Sequence, residues 1–154
     1  MGLIDNINAD LKAAMLRRDE FATTVYRGLK SAILYEEVAQ GKRDTGLGDD
    51  EILTVIAKQV KQRDDSIEIY VAAGDKERAQ KETAEREILV AYLPKPLSDD
   101  ELREIVQRVI ETGGFTVKDM GRAIGDIKKE VGAAADGGRI AAMVKESLTK
   151  EARQ

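Results

Sequence analysis

The stretch from residue 92 to residue 102 constrains the fold most, because it holds both prolines of the 154-residue chain. Pro94 and Pro96 each lack a backbone donor, and each holds the residue before it in an extended conformation. A helix that enters this stretch must therefore end near Tyr92.

The start of the next helix is indicated just beyond the prolines. Ser98, followed three residues later by Glu101, is the pattern of a capping box, in which each residue bonds the backbone amide of the other. We therefore predict a hinge at 94–97, between an N-terminal domain at 1–93 and a C-terminal domain at 98–154.

The composition favours an all-α protein. Hydrophobic residues make up 42% of the chain, but aromatic residues only 4%, with no Trp. A core of Leu, Ile, Val, Ala and Met suits helix packing better than sheet packing. Apolar residues at helical spacing predict four helices before the prolines, arranged like a four-helix bundle, and three shorter helices after them.

Two residue types that dominate catalytic and metal sites are missing, since the chain has no Cys and no His. Their absence excludes a thiolate nucleophile, a disulfide and a Cys or His metal site. The four serines are isolated, and no nucleophile stands with a base. The acidic triplets at 49–51 and 99–101 stand where helices begin, so they favour dipole stabilisation over a metal site. We predict no catalytic residue, no metal and no cofactor.

The start of the chain has no basic segment followed by an apolar run, and no stretch approaches the length of a membrane span. The net charge is −4 and the pI is about 5.1. These features predict a cytoplasmic location in a bacterium, with neither a membrane nor DNA as a partner.

A local cationic surplus stands out against this acidic background. Residues 117–154 hold eight basic and six acidic side chains. The surplus is typical either of a solvated helix face or of a phosphate-binding patch. If it binds RNA, the candidate residues are Lys118, Arg122, Lys128, Lys129, Arg139 and Lys145.

Two smaller patterns are assigned structural roles. Gly121 and Gly125 are four residues apart on one helix face, which favours tight helix packing over contact with a ligand. Lys61 belongs to a basic group on the third helix, and we predict that it pairs within that helix with Asp64 or Asp65.

Several segments together resemble a known family. They are Tyr92-Leu93-Pro94, the run from Leu97 to Leu102, Lys61-Gln62-Arg63-Asp64-Asp65-Ser66-Ile67-Glu68, Met120-Gly121 and Ala135-Asp136-Gly137. Their order resembles the YqeY family over essentially the whole chain. That family is similar to the C-terminal tail of GatB, a subunit of the glutamine-dependent amidotransferase that converts misacylated Glu-tRNA or Asp-tRNA.

The resemblance implies two helical subdomains, of which the smaller, C-terminal one is similar to the part of the GatB tail that meets tRNA. A carbon–nitrogen ligase activity with glutamine as amido donor follows only by association with GatB, whose catalytic portion has no counterpart here. One departure concerns RNA binding. Ala133 and Ala134 stand where the family pattern has Gly-Arg, and Arg139 is the candidate substitute for that arginine.

These observations predict a binding module that recognises tRNA by shape and phosphate contacts. The alternative is an adaptor that binds amidotransferase subunits or another protein without binding RNA. An exposed apolar patch on the first or fourth helix would favour the adaptor. A third hypothesis is an amidotransferase that acts alone.

Overall fold

The computed structural model describes residues 2–152, with side chains as far as residue 150. This part of the chain forms seven α-helices and no strand, which confirms the all-α prediction. The helices are α1 (Leu3–Leu16), α2 (Glu20–Ala39), α3 (Asp49–Ala72), α4 (Lys76–Val90), α5 (Asp99–Gly113), α6 (Met120–Val131) and α7 (Gly137–Ala152).

The chain divides into two compact units, an N-terminal unit at Met1–Leu93 and a C-terminal unit at Pro94–Gln154. The segment between α4 and α5 contains both prolines and no helix. The hinge at 94–97 stays a prediction.

The N-terminal unit packs four helices around one apolar core. The α3 and α4 helices pack along each other, α1 packs on α2, and α3 also contacts α1 and α2. The buried side chains of this core are Ile7, Val25, Leu29, Ile33, Ile52, Val55, Ile56, Val60 and Leu89. All of them are aliphatic, as the low aromatic content predicts.

Helix ends in this unit follow local sequence signals. The Asp19 carboxylate accepts a hydrogen bond from the Ala22 amide at 3.0 Å, and Asp75 accepts one from the Arg78 amide at 3.1 Å. Both carboxylates satisfy amides that the first helical turn leaves free. Gly74 follows α3 with a φ of +75°, a left-handed conformation that favours glycine.

The predicted pairing of Lys61 within α3 is wrong. Ion pairs instead link α3 to α4, joining Arg63 to Glu85 and Asp64 to Arg86. A three-residue turn brings the two helices side by side, so charged residues of α3 find partners on α4. Lys61 itself makes no ion pair with any residue that the structure describes.

The acidic triplet at 49–51 has a structural use. Asp49 accepts a hydrogen bond from the Leu3 amide at 3.0 Å, at the start of α1. Glu51 accepts one from the Gly48 amide at 2.8 Å and pairs with Lys42. Among the side chains described, those of residues 2–150, no acidic group is placed to hold a metal ion. None of the helices described is both long and apolar enough to cross a membrane.

The C-terminal unit builds its own core from α5, α6, α7 and two short 3₁₀ turns at Val117–Asp119 and Gly132–Ala134. Its fully buried side chains come from all three helices, and the list includes Leu102, Val106, Ile110, Ala123, Ile127, Ile140, Val144 and Leu148.

The caps of this unit differ from the prediction in one detail. The Ser98 hydroxyl accepts a hydrogen bond from the Glu101 amide at 3.1 Å. The Glu101 side chain makes no return bond to Ser98 among the contacts described, so only half of the capping box forms. Asp136 caps α7 as predicted, accepting a hydrogen bond from the Arg139 amide at 2.8 Å.

Candidate nucleic-acid interface

One face of α6 combines positive charge with bare backbone. Ala123 and Ile127 are fully buried in the core. Gly125 lies two positions from each of them, which turns it about 200° away, toward solvent. Arg122 and Lys129 lie three before and four after Gly125, so all three share the outer face.

The glycines on this face do not serve helix packing, which corrects the prediction made for Gly121 and Gly125. A Cβ atom built at either position would meet no atom within 4 Å. No neighbouring helix therefore uses these positions for close approach, and the backbone at both glycines is uncovered. The exposed Asp126 lies on the same face, four residues after Arg122 and three before Lys129, and contributes one negative charge. We call Gly121, Arg122, Gly125 and Lys129 the α6 strip.

Arg122 is oriented by a contact with the core. Its guanidinium lies over the ring of Phe115, with 5.6 Å from Cζ to the ring centroid. Phe115 is only 9% exposed, so the ring is a fixed platform. The cation–π contact uses one face of the guanidinium and leaves its N–H groups free to bind an anion.

Lys128 extends away from the strip toward the start of α7. A Cβ built at Gly137, the first residue of α7, would lie 3.1 Å from both Cε and Nζ of Lys128. A lysine at this position adds its charge to the positive end of the α7 dipole, an arrangement suited to an anion.

Arg139 is engaged inside the unit. Its Nη2 donates hydrogen bonds to the Asp99 carboxylate at 2.8 Å and to the Leu97 carbonyl at 3.0 Å. Arg139 was the candidate substitute for the arginine missing at Ala134. In this structure its charge is neutralised by Asp99.

The remaining two predicted residues are exposed but separate. Lys118 lies in the 3₁₀ turn before α6, and Lys145 lies on α7. None of the contacts described joins either lysine to the α6 strip. Glu130, which would reduce the charge of α6, pairs with Arg108 on α5.

Exposed apolar side chains concentrate in the N-terminal unit. At the end of α1, Met15 is 49% and Leu16 is 76% exposed. A larger group lies on α2, where Leu34, Tyr35 and Val38 occupy neighbouring turns with Tyr35 77% exposed. Among the described residues of α4, no large hydrophobic side chain is exposed. The sequence analysis considered an exposed apolar patch only on α1 or α4, and it missed the group on α2.

Together these features define an all-helical, two-unit protein with a cationic helix face in its C-terminal unit. Comparison with known families assigns it further. The chain belongs to the family described as "Yqey-like protein", whose model matches residues 4–148.

Curated relatives carry the name "Altered inheritance of mitochondria protein 41, mitochondrial". The relative from Lachancea thermotolerans is 35% identical over 91 residues, which are 58% of this chain and 47% of the relative. The one from Kluyveromyces lactis is 37% identical over 94 residues, 59% of this chain and 50% of the relative. The one from Clavispora lusitaniae is 28% identical over 131 residues, 84% of this chain and 74% of the relative.

The chain spans about half the length of the first two of these relatives. Their names correct the prediction about location. The relatives are mitochondrial proteins by name, which contradicts the predicted cytoplasmic location in a bacterium.

Proposed function

We propose that the C-terminal unit binds structured RNA, with tRNA as the proposed ligand, and that the α6 strip is its contact surface. The single observation that carries this proposal is the position of Gly125. It leaves the helix backbone uncovered beside two outward-facing cations, Arg122 and Lys129, which outnumber the one carboxylate on this face, Asp126. Such a surface suits the phosphate groups of a nucleic-acid backbone, whose contacts with proteins are mainly electrostatic.

The composition of the unit favours recognition of the phosphate backbone over recognition of unpaired bases. Phe115 is the sole aromatic residue between positions 94 and 154, and its ring is buried under Arg122. Proteins that bind single-stranded RNA stack bases on exposed aromatic side chains. A surface without such side chains suits a folded RNA recognised by shape.

A link to tRNA-dependent amidation is the finer part of this proposal. It rests on the similarity of the family to the GatB tail, and it makes the chain an RNA-binding accessory to a carbon–nitrogen ligase that uses glutamine. Glutamine-dependent amide formation on Glu-tRNA by the purified chain alone would instead identify a self-sufficient amidotransferase. From the names of the relatives we propose mitochondria as the compartment, which fractionation of cells expressing the chain would test.

The test of RNA binding is the fluorescence anisotropy of labelled tRNA at several salt concentrations. The variant Arg122→Gln/Lys129→Gln removes both cations of the α6 strip. The control variant Lys58→Gln/Lys61→Gln removes the same charge from α3, where both lysines are exposed.

We expect the strip variant to bind tRNA more weakly. The fall of log K with log salt should become shallower by about 2 in slope, about one for each lost phosphate contact. The control variant should match the wild type. Equal losses in both variants, or no wild-type affinity at low salt, would contradict the proposal.

A second candidate function is an adaptor that binds another protein through α2. The exposed group Leu34, Tyr35 and Val38 favours it, because adjacent apolar side chains on an outer helix face typically mark an interaction surface. The variant Leu34→Ser/Val38→Ser tests it. Loss of a co-purifying protein, with tRNA affinity unchanged, would support the adaptor over the RNA-binding function.

A further inference from the structure

The contact between Arg139 and Asp99 pairs a cation that is about two-thirds covered with a carboxylate that is mostly exposed. The Arg139 side chain is 33% exposed, and the Asp99 side chain is 75% exposed. The 2.8 Å contact joins the first residue of α5 to the first turn of α7. Because Asp99 is mostly in solvent, a competing anion has access to this ion pair.

The Arg139 guanidinium has N–H donors that no described contact uses. Both of its hydrogen bonds, to Asp99 and to the Leu97 carbonyl, use Nη2. A guanidinium has five N–H donors, and no contact described for Arg139 uses Nε or Nη1. An incoming phosphate would therefore find free donors. What opposes it is the negative charge of Asp99.

The backbone around Asp99 has a second attachment that does not depend on the carboxylate. The Leu97 amide donates to the Ala134 carbonyl at 2.9 Å, and the Leu97 carbonyl accepts from Arg139. Loss of the Asp99 carboxylate leaves both bonds in place. Arg139 would then be held in position with its charge no longer neutralised.

We propose that Asp99 is an autoinhibitory counter-ion, which occupies Arg139 until an RNA phosphate displaces it. This inference rests on the proposed function and adds regulation to it. The C-terminal unit then has two grades of phosphate site: the α6 strip, which is open, and Arg139, which becomes available when Asp99 is displaced. Neutralising Asp99 converts the second grade into the first.

Four variants test this with labelled tRNA as the probe. Asp99→Ala removes the counter-ion, and Glu101→Ala removes a carboxylate from the same helix turn with no described contact to Arg139. The double variant Asp99→Ala/Arg139→Gln asks whether a gain passes through Arg139. Asp99→Ala/Arg139→Lys repeats that question with the positive charge kept, and thermal melts monitored by circular dichroism verify that each variant is folded.

We expect Asp99→Ala to bind tRNA roughly fivefold more tightly than Glu101→Ala, which is the effect of about one charge-assisted contact. Its salt slope should be steeper by about 0.9, the value for one added phosphate contact. The gain should vanish with Arg139→Gln and persist in part with Arg139→Lys.

Equal affinities of Asp99→Ala and Glu101→Ala would overturn the inference, as would a gain that survives Arg139→Gln. The wild type would still bind through the α6 strip in either case, so the proposed function would stand. If neither the wild type nor Asp99→Ala binds tRNA at low salt, both proposals are contradicted.

Discussion

The hydroxyl of Tyr92 donates a hydrogen bond to the carboxylate of Asp10, 82 residues away in sequence. The bond ties the segment that follows α4 to α1 within the N-terminal unit. Tyr26 packs edge-on against the Tyr92 ring, with 6.5 Å between ring centroids. Burial, together with the hydrogen bond to Asp10, raises the pKa of Tyr92 well above its usual value, so its hydroxyl remains a donor throughout the physiological range.

Replacing Tyr92 by Phe keeps the ring contact with Tyr26 and removes the donor to Asp10. We expect a loss of about 1–2 kcal/mol in the free energy of unfolding, because a partly buried carboxylate is left without its partner. Urea unfolding measures this loss. Phenylalanine at Tyr35, whose side chain is largely exposed, is the matched control and should change little. Equal effects of the two substitutions would contradict a role for the hydroxyl.

Asp19 makes stability depend on acid pH. The hydrogen bond from the Ala22 amide lowers the pKa of its carboxyl below the usual 3.8, aided by Arg17. A lowered folded-state pKa gives stability that is present above the unfolded value and is lost as the pH falls through the folded one. The variant Asp19→Asn keeps a capping oxygen and cannot titrate. Its melting temperature should fall less than that of the wild type between pH 5 and pH 2, and identical acid profiles would refute this.

Substitution of Gly125 by Ala should have opposite effects on folding and on RNA binding. Open space around the Cβ position means that alanine stabilises α6 by about 0.5–1 kcal/mol, since glycine is a poor helix former. The same methyl group would stand where a phosphate backbone approaches, so tRNA affinity should fall. Thermal melts and anisotropy measure the two effects. An affinity that does not fall would argue against close approach at the α6 strip.

Gly113 provides the contrast for that substitution. A Cβ there would lie 2.6 Å from Cε2 of Phe115, a distance that real side chains do not adopt. Gly113→Ala should therefore destabilise the C-terminal unit, although it too replaces a helical glycine. If both alanine substitutions stabilise the protein, the close packing of Phe115 against Gly113 of α5 is contradicted.

The half-formed capping box gives a prediction about Ser98. Ser98→Ala removes the acceptor of the Glu101 amide and should cost about 1 kcal/mol. Glu101→Gln should cost less, because the Glu101 side chain contributes only its charge at the helix start. Urea unfolding of both variants measures the difference. A larger loss in Glu101→Gln would mean that the full capping box forms in solution.

Helix boundaries were largely predictable from the sequence because their signals are local. Pro94 prevents a helix from continuing, Asp75 caps the start of α4, and Asp136 caps the start of α7. These effects act within the segment itself and do not depend on the neighbouring helices. Partners across helices were not predictable. Arg63 hydrogen-bonds to Gln59 in its own helix, as a spacing of four residues predicts, but its ion pair is with Glu85 on α4.

The candidate site was predicted in part. Its cations could be listed from charge alone, but the list did not separate the open Arg122 from the neutralised Arg139, which depends on how α7 packs on α5. The outward position of Gly125 did have a signal. It lies two residues from Ala123 and from Ile127, so a check of helical angle would have placed it opposite the buried face.

The most direct test of the RNA-binding proposal is the ¹H–¹⁵N correlation spectrum of the chain during titration with tRNA. Amides that contact RNA shift or broaden first. We predict that these are the amides of Gly121, Arg122, Gly125 and Lys129. Changes confined to Leu34, Tyr35 and Val38 on α2, or no change at low salt, would contradict the proposal.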